Sequence, residues 1–297
     1  MKKSLILTSV FFVCVSTNAQ SQTEKGRQLY DLALSYQRQK DTLKAIEYYE
    51  ASIKEGFELS KPILAFIYDV RHEYAKAYPL FLSYFNYIKT NIKTNGISKD
   101  IMHVFVSSQY KIGEYRLYGY GTDKDVKGSI QFLEDAAKNN FGMAYINLAT
   151  AYKEIGDTIK AYNTAITAND KYHNDMTMAI LAQYYLHGIG CKKNYEKAFE
   201  LLSPSAENGF FLAQLTLGDL FYTEDFSRHS YEQAFKWYSR LAETTNSQIK
   251  GTALRKLSKY YRFVKKDINK AEELLKEASK YGDEDAKSLL DLIGNNN

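Results

Sequence analysis

The feature that most constrains this chain is a small residue that returns at one fixed point of a helical pattern. Two patterns alternate along the sequence. The first is Leu-small-x-x-aromatic: Leu32-Ala33 with Tyr36, Leu64-Ala65 with Tyr68, Leu148-Ala149 with Tyr152, Leu181-Ala182 with Tyr185, Leu217-Gly218 with Phe221, and Leu257-Ser258 with Tyr261. Val106-Ser107 with Tyr110 is a weaker copy. Spacings of one and four place these side chains on one face of a helix, here called helix A.

The second pattern is a polar residue followed four positions later by a small one. It reads Asp41 to Ala45, Asp157 to Ala161, Asn194 to Ala198, Ser230 to Ala234 and Asp267 to Ala271, with Asp125 to Ser129 a degenerate copy. Ala77 has Glu73 in the polar position. Asp, Asn or Ser there can accept from free amides at a helix start, so each marks the N-cap of a second helix, helix B. The small residue lets helix A approach closely, and a larger one would overpack by roughly 1–3 kcal/mol.

A hairpin of this size must offset roughly 1.5 kcal/mol of ordering entropy per residue, about 50 kcal/mol in all. Alone it leaves an apolar face in water, so neighbours must stack. The alternation therefore predicts an all-α fold, a right-handed α-solenoid of about seven antiparallel helix pairs. The long step from Ala77 to Ser129 holds Thr90–Ser98, whose Asn, Gly, Thr and Ser content predicts an extended loop near 90–98.

The N-terminus has a different character. Lys2 and Lys3 precede the apolar run Leu5–Val15, and Thr17 and Ala19 supply small residues. That order predicts a secretory signal over 1–19, cleaved after Ala19. A run of eleven residues is too short for a membrane span, which takes about twenty. Cys14 follows Phe12 and Val13, a poor setting for lipidation. Two of the 39 basic residues leave with the signal, so 37 basic face 35 acidic residues in the remainder. That balance offers no electrostatic case for nucleic acid or an anionic membrane. The remainder is expected to be soluble, without an integral membrane segment. A hydrophobic fraction of 45% excludes disorder along the whole chain. Two cysteines, one of them in the signal, exclude a disulfide scaffold.

Two stretches carry more than generic pairing. Tyr118-Gly119-Tyr120-Gly121 through Ala144 and Tyr152 aligns with His187-Gly188-Ile189-Gly190 through Ala213 and Phe221. The second copy includes Lys197-Ala198, Ala206-Glu207-Asn208-Gly209 and Ala213-Gln214. This resembles the Sel-one-like repeat, a relative of the tetratricopeptide repeat, strongly over about 117–222 and fairly over 251–290. It is weak over 60–116 and 153–177. The chain accordingly reads as a signal (1–19), N-terminal degenerate helical repeats (20–116), Sel-one-like and tetratricopeptide-like repeats (117–290), and a disordered tail (291–297).

Gly119, Gly121, Gly188 and Gly190 fall between helices A and B, where a tight loop wants positive φ. Gly209 and Gly282 suit a cap after helix B. Pro62 fits a first turn. Pro204 predicts a kink or break in its helix, and Pro79 a distorted or late-starting one. Cys191 reads as a small buried apolar residue.

Catalytic constellations are not apparent. No two histidines are three or four residues apart, no Gly-x-Ser-x-Gly elbow occurs, and the Gly-x-Gly copies lack both a preceding strand and a third glycine. Acidic runs such as Asp283-Glu284-Asp285 suit helix N-termini. No enzyme activity, metal or cofactor is expected. Cysteine-rich secreted relatives have been linked to cell-wall or antibiotic chemistry, but they resemble repeats stapled by cysteine pairs, which this chain lacks.

The remaining signal is 26 tyrosines. Most belong to the packing pattern. The resemblance implies that Tyr30, Lys153 and Tyr222, with Gln37, Asp69, Thr150, Gln183, Asp219, Lys259 and Arg262 in similar register, lie on the helix-A face that lines the concave surface of such arrays. Aromatic and mixed polar groups there suit contact with a protein or peptide. The family resemblance implies a non-catalytic scaffold, and the signal implies a periplasmic or extracellular one. The alternative partner is a cell-wall glycan stacking on exposed tyrosines.

Overall fold

The computed structural model describes residues 24–91 and 98–294, and every regular element among them is helical. The chain divides into two compact units, Met1–Gly156 and Asp157–Asn297. The division falls after Gly156, within the 117–290 span that the sequence treats as one stretch.

In the first unit α1 (Glu24–Arg38), α3 (Ser60–Val70), α5 (Lys99–Tyr118) and α7 (Gly142–Glu154) are A helices, and α2 (Thr42–Lys54), α4 (Tyr74–Asn91) and α6 (Val126–Lys138) are B helices. The second unit begins with the B helix α8 (Thr158–Tyr172). It continues through α9 (Asp175–His187), α10 (Tyr195–Glu207), α11 (Phe211–Phe221), α12 (Tyr231–Ala242) and α13 (Ser247–Tyr260). A five-residue π turn, Tyr261–Lys265, then leads to α14 (Ile268–Lys280) and α15 (Glu284–Gly294). Within each unit, the substantial contacts join helices adjacent or next but one in the chain. That nearest-neighbour pattern is the packing of a repeat protein.

The local chemistry is what the two patterns require. Asp41, Asp125, Asp157, Asn194, Ser230 and Asp267 each cap a B helix, accepting from the amide three residues on. The small residues Ala45, Ala77, Ser129, Ala161, Ala198, Ala234 and Ala271 are all buried at the hairpin interface. Gly121 and Gly190 show why the inter-helix loops need glycine twice over. Both have positive φ, 63° and 67°. A Cβ on Gly121 would lie 2.3 Å from the carbonyl carbon and oxygen of Tyr74, and one on Gly190 would lie 2.0 Å from the Thr158 carbonyl oxygen. Each loop therefore rests on the first turn of the preceding B helix.

Several expectations change. Thr90 and Asn91 belong to α4, and Ser98 caps α5, so only 92–97 of the expected loop lies outside the described residues. The long step is taken up mainly by helix, because α4 and α5 run 18 and 20 residues. The tail begins as helix: Asp291–Gly294 complete α15, and 295–297 are outside the described residues, as is the signal 1–19. Pro204 does not break α10, which runs unbroken from Tyr195 to Glu207. Leu202, Ser205 and Ala206 are buried on either side of it, and this packing holds the turn together. Pro79 does not delay α4, which starts at Tyr74, directly after Glu73. Cys191 is only partly buried, its thiol reaching the Tyr184 carbonyl at 3.5 Å.

Candidate interaction face

Buried tyrosines explain the composition. Tyr49, Tyr115 and Tyr238 are fully buried, yet their hydroxyls reach Gln37 (2.7 Å), Asp69 (2.5 Å) and Asp219 (2.6 Å) on A helices. Tyr68 donates to Glu50 at 2.8 Å, and Tyr152 donates to Glu134. Each of these rings fills the core while its hydroxyl meets an acceptor at the edge, whereas the equally buried Tyr84 hydroxyl has no such acceptor among the described residues. Burial, reinforced by the carboxylate acceptors, raises the pKa of Tyr115 and Tyr238 well above the ordinary phenol range.

In the first unit this edge widens into a polar and aromatic patch. Lys111 of α5 lies 3.0 Å from Asp69 of α3 and 2.7 Å from Glu114. Burial pulls the Lys111 pKa down, but the two carboxylates outweigh it and hold it above the usual lysine value. Asn147 of α7 donates to the Tyr110 hydroxyl at 3.2 Å and accepts from Tyr118 at 3.3 Å. Beside them Tyr74 stacks on Tyr120 with ring centroids 4.9 Å apart, and Tyr120 stacks on Tyr118 at 5.5 Å. Tyr118 and Tyr120 are each 40% exposed.

The second unit repeats the principle with other residues. Gln183 of α9 donates to Thr216 of α11 at 2.8 Å and accepts from the exposed His187 ring at 3.1 Å. Asp219 of α11 accepts from Tyr238 and from Lys256 of α13, the latter at 2.7 Å. Lys259 lies over the Tyr222 ring, 4.7 Å from its centroid. His187 and Cys191 are four residues apart, a spacing that would suit a metal pair on a continuous helix. α9 ends at His187, however, and Gly188 takes a left-handed turn between them. No group of three or more metal-ligating side chains occurs among the described residues.

The ten residues expected on the A face thus divide. Tyr30 is a correction: it is 5% exposed, packed edge-on to Tyr49 and against Phe57. It sits three residues before Ala33, one turn away on the same buried face. Gln37, Asp69, Gln183 and Asp219 are half-buried and hold neighbouring helices to one another. Thr150 is also half-buried and bonds back to the Ile146 carbonyl at 3.1 Å. Tyr222 is half-buried beneath Lys259. Lys153, Lys259 and Arg262 are exposed. Arg262 lies in the π turn after α13, with its guanidinium 5.6 Å from the Phe263 ring.

The residues not anticipated have a rule. Asn147, Thr216 and Lys256 each stand two positions before the small residue of an A helix and bond to the preceding A helix. Their partners Gln183 and Asp219 stand one position after it. That row is readable in the sequence once the small residue is used as the origin.

Helical hairpins with buried small residues, repeated without strands and joined by polar contacts between successive A helices, define a helical-repeat protein of the tetratricopeptide type. The Sel1 repeat pattern matches residues 26–57, 106–141, 176–210, 212–243 and 252–283, more than half of the chain, and the protein belongs to the Sel1 repeat family. Proteins of this family generally serve as protein-interaction scaffolds and are typically non-catalytic. The human protein sel-1 homolog 2 is 30% identical over 156 residues, covering 51% of this chain and 16% of the human protein. Its rat counterpart is 26% identical over 192 residues, covering 61% and 22%. The chain therefore spans less than a quarter of the length of these relatives.

Solved structures share the fold. A tetratricopeptide repeat protein from Parabacteroides merdae superposes with a TM-score of 0.60 at 14% identity, covering 91% of this chain and 99% of that one. The protective antigen c5321 of uropathogenic Escherichia coli superposes at 0.56 and 19% identity, over 90% of this chain and 56% of that one. A Sel1 repeat protein from Oxalobacter formigenes gives 0.55 and 20%, over 77% and 86%.

Proposed function

We propose that this chain is an exported, non-catalytic scaffold that binds a protein or peptide along the face lined by its A helices. The observation that carries the reading is the patch on α3, α5 and α7. There Asp69, Lys111 and Glu114 hold one another, Asn147 is joined to Glu114 through the Tyr110 hydroxyl, and the exposed rings of Tyr118 and Tyr120 adjoin them. Side chains already held in place lose little freedom when a partner arrives, and tyrosine contributes area at small entropic cost. Lys153 lies exposed on α7, beyond this patch. In the second unit Tyr222, Lys259 and Arg262 offer a comparable aromatic and cationic edge. Export rests on the charged, apolar and small-residue order of residues 1–19.

Photo-crosslinkers placed singly at Tyr118 and Lys153 should capture a common protein from the compartment in which the chain resides, and one at Lys259 tests the second unit by itself. A crosslinker at Glu47, exposed on the B helix α2, should not. Capture from Glu47 with none from the A-face positions would overturn the assignment of the face. Retention of residues 1–19 on the cytoplasmic protein would overturn export.

The Tyr74–Tyr120–Tyr118 stack favours a second reading, a glycan platform, since an exposed tyrosine ring can lie against a sugar face. Co-sedimentation with purified cell-wall polymer that is lost on Tyr118→Ala would support it, and failure to sediment would dismiss it.

A further inference from the structure

The chain is nearly neutral overall, but residues 250–270 hold eight basic residues and one acidic residue. Three of the eight basic residues are paired with carboxylates. Arg255 pairs with Asp283 and Asp285, Lys256 with Asp219, and Lys270 with Glu273, while Lys250 lies over the Tyr281 ring. Lys259, Arg262, Lys265 and Lys266 form no ion pair with a carboxylate among the described residues; like Lys250, the first three lie over rings, those of Tyr222, Phe263 and Tyr260. Cations at a helix C-terminus are favoured by the helix dipole, which accounts for Lys259 and in part for Arg262.

That electrostatic preference does not account for the apolar residues between the charges. Phe263 is 62% exposed and Ile268 is 50% exposed. The turns from α5 to α6 and from α9 to α10 are closed by glycines that fold them onto the preceding B helix, at Gly121 and Gly190, whereas those after α1, α3 and α11 hold none. Here the connection has no glycine. α13 passes into the π turn Tyr261–Lys265, and Lys266 itself takes the left-handed conformation, with φ 56°.

We propose that this turn is a docking site for an anionic phospholipid surface. Phe263 and Ile268 enter the boundary between headgroups and acyl chains, and Lys259, Arg262, Lys265 and Lys266 sit among the phosphates. Cations interleaved with exposed apolar side chains are the composition that the water–bilayer interface selects. An acidic peptide would complement the charges but would leave the exposed phenyl ring without a counterpart. No described helix is long and apolar enough to cross a membrane, so the contact is peripheral. Lys259 and Arg262 also belong to the A-face edge of the second unit, whereas Phe263, Lys265, Lys266 and Ile268 do not, so substitutions at those four separate vesicle binding from the protein-binding reading.

The test is flotation of the full chain with phosphatidylcholine vesicles, with and without phosphatidylglycerol. Binding is expected only to the phosphatidylglycerol vesicles, and it should fall as salt is raised. Each of Arg262→Gln, Lys265→Gln and Lys266→Gln should weaken partitioning by about fivefold. Phe263→Ser should weaken it further without steepening the salt dependence. Circular dichroism of each variant checks that it folds. No binding to phosphatidylglycerol vesicles overturns the proposal, as does binding indifferent to all four substitutions. Capture of polyglutamate without vesicle binding overturns it too, and assigns the cations to an acidic protein segment.

Discussion

Replacing Gly190 with alanine tests the contact between a hairpin loop and the helix before it. The added Cβ would lie 2.0 Å from the Thr158 carbonyl oxygen, 2.6 Å from its carbon and 2.9 Å from Tyr162 Cβ. Two of these are backbone atoms, so the loop and the first turn of α8 must separate. A residue with a side chain at φ 67° costs roughly 1–2 kcal/mol, and forced displacement adds roughly 1–3 kcal/mol. Gly209 supplies the control. Its φ is 89°, but nothing lies within 4 Å of its Cβ position, so alanine there incurs the conformational cost without the clash. Gly190→Ala should therefore destabilise by about 1–3 kcal/mol more than Gly209→Ala. Urea unfolding gives the difference, and amide exchange should localise it to the start of α8 and the loop before α10. Equal effects of the two substitutions, or unchanged exchange at Thr158–Tyr162, would refute the close approach.

Asp219→Ala should cost about 1–3 kcal/mol by stranding the buried Tyr238 hydroxyl, and Lys256→Ala should cost less because its charge is partly solvated; paired urea titrations compare them. Ala198→Leu should destabilise by roughly 1–3 kcal/mol in the same assay, since that position is fully buried between α9 and α10. Asn194→Ala removes the cap on the Lys197 amide and should cost about 1 kcal/mol, seen also as faster amide exchange in the first turn of α10. The buried phenols predict loss of stability in alkali. Their folded pKa values lie above the ordinary value of 10, with Tyr68 raised to about 12 by burial and by Glu50. Their contribution is therefore complete below pH 10 and falls as pH rises toward 12. Phenolate absorbance followed against helical circular dichroism should show late-titrating tyrosines ionising together with unfolding.

The helical pairing was legible because its determinants are local. A cap and a small residue four positions later fix where a B helix begins and which side of it is approached. The six polar caps of the sequence pattern all accept the amide three residues on, and the seven small residues are all buried. Helix lengths were less legible where no cap intervenes. Polar Thr90 and Asn91 read as loop, yet they extend α4, whose buried Phe81, Tyr84, Phe85 and Ile88 anchor the helix beyond the usual repeat. Tyr30 failed because a tyrosine outside the main motif can still lie one turn from its small residue. The polar rivets Asn147, Thr216 and Lys256 went unseen because each becomes meaningful only beside the preceding helix. The basic turn after α13 was hidden by a chain-wide charge count that averaged it away.

The resting of Gly121 on Tyr74, and of Gly190 on Thr158, bears on how such a chain can be rearranged. A hairpin lifted out and inserted elsewhere would bring its own turn but meet a foreign helix beneath it. Duplication or shuffling should therefore succeed when the cut travels with the underlying helix, so the heritable cassette is larger than a single hairpin.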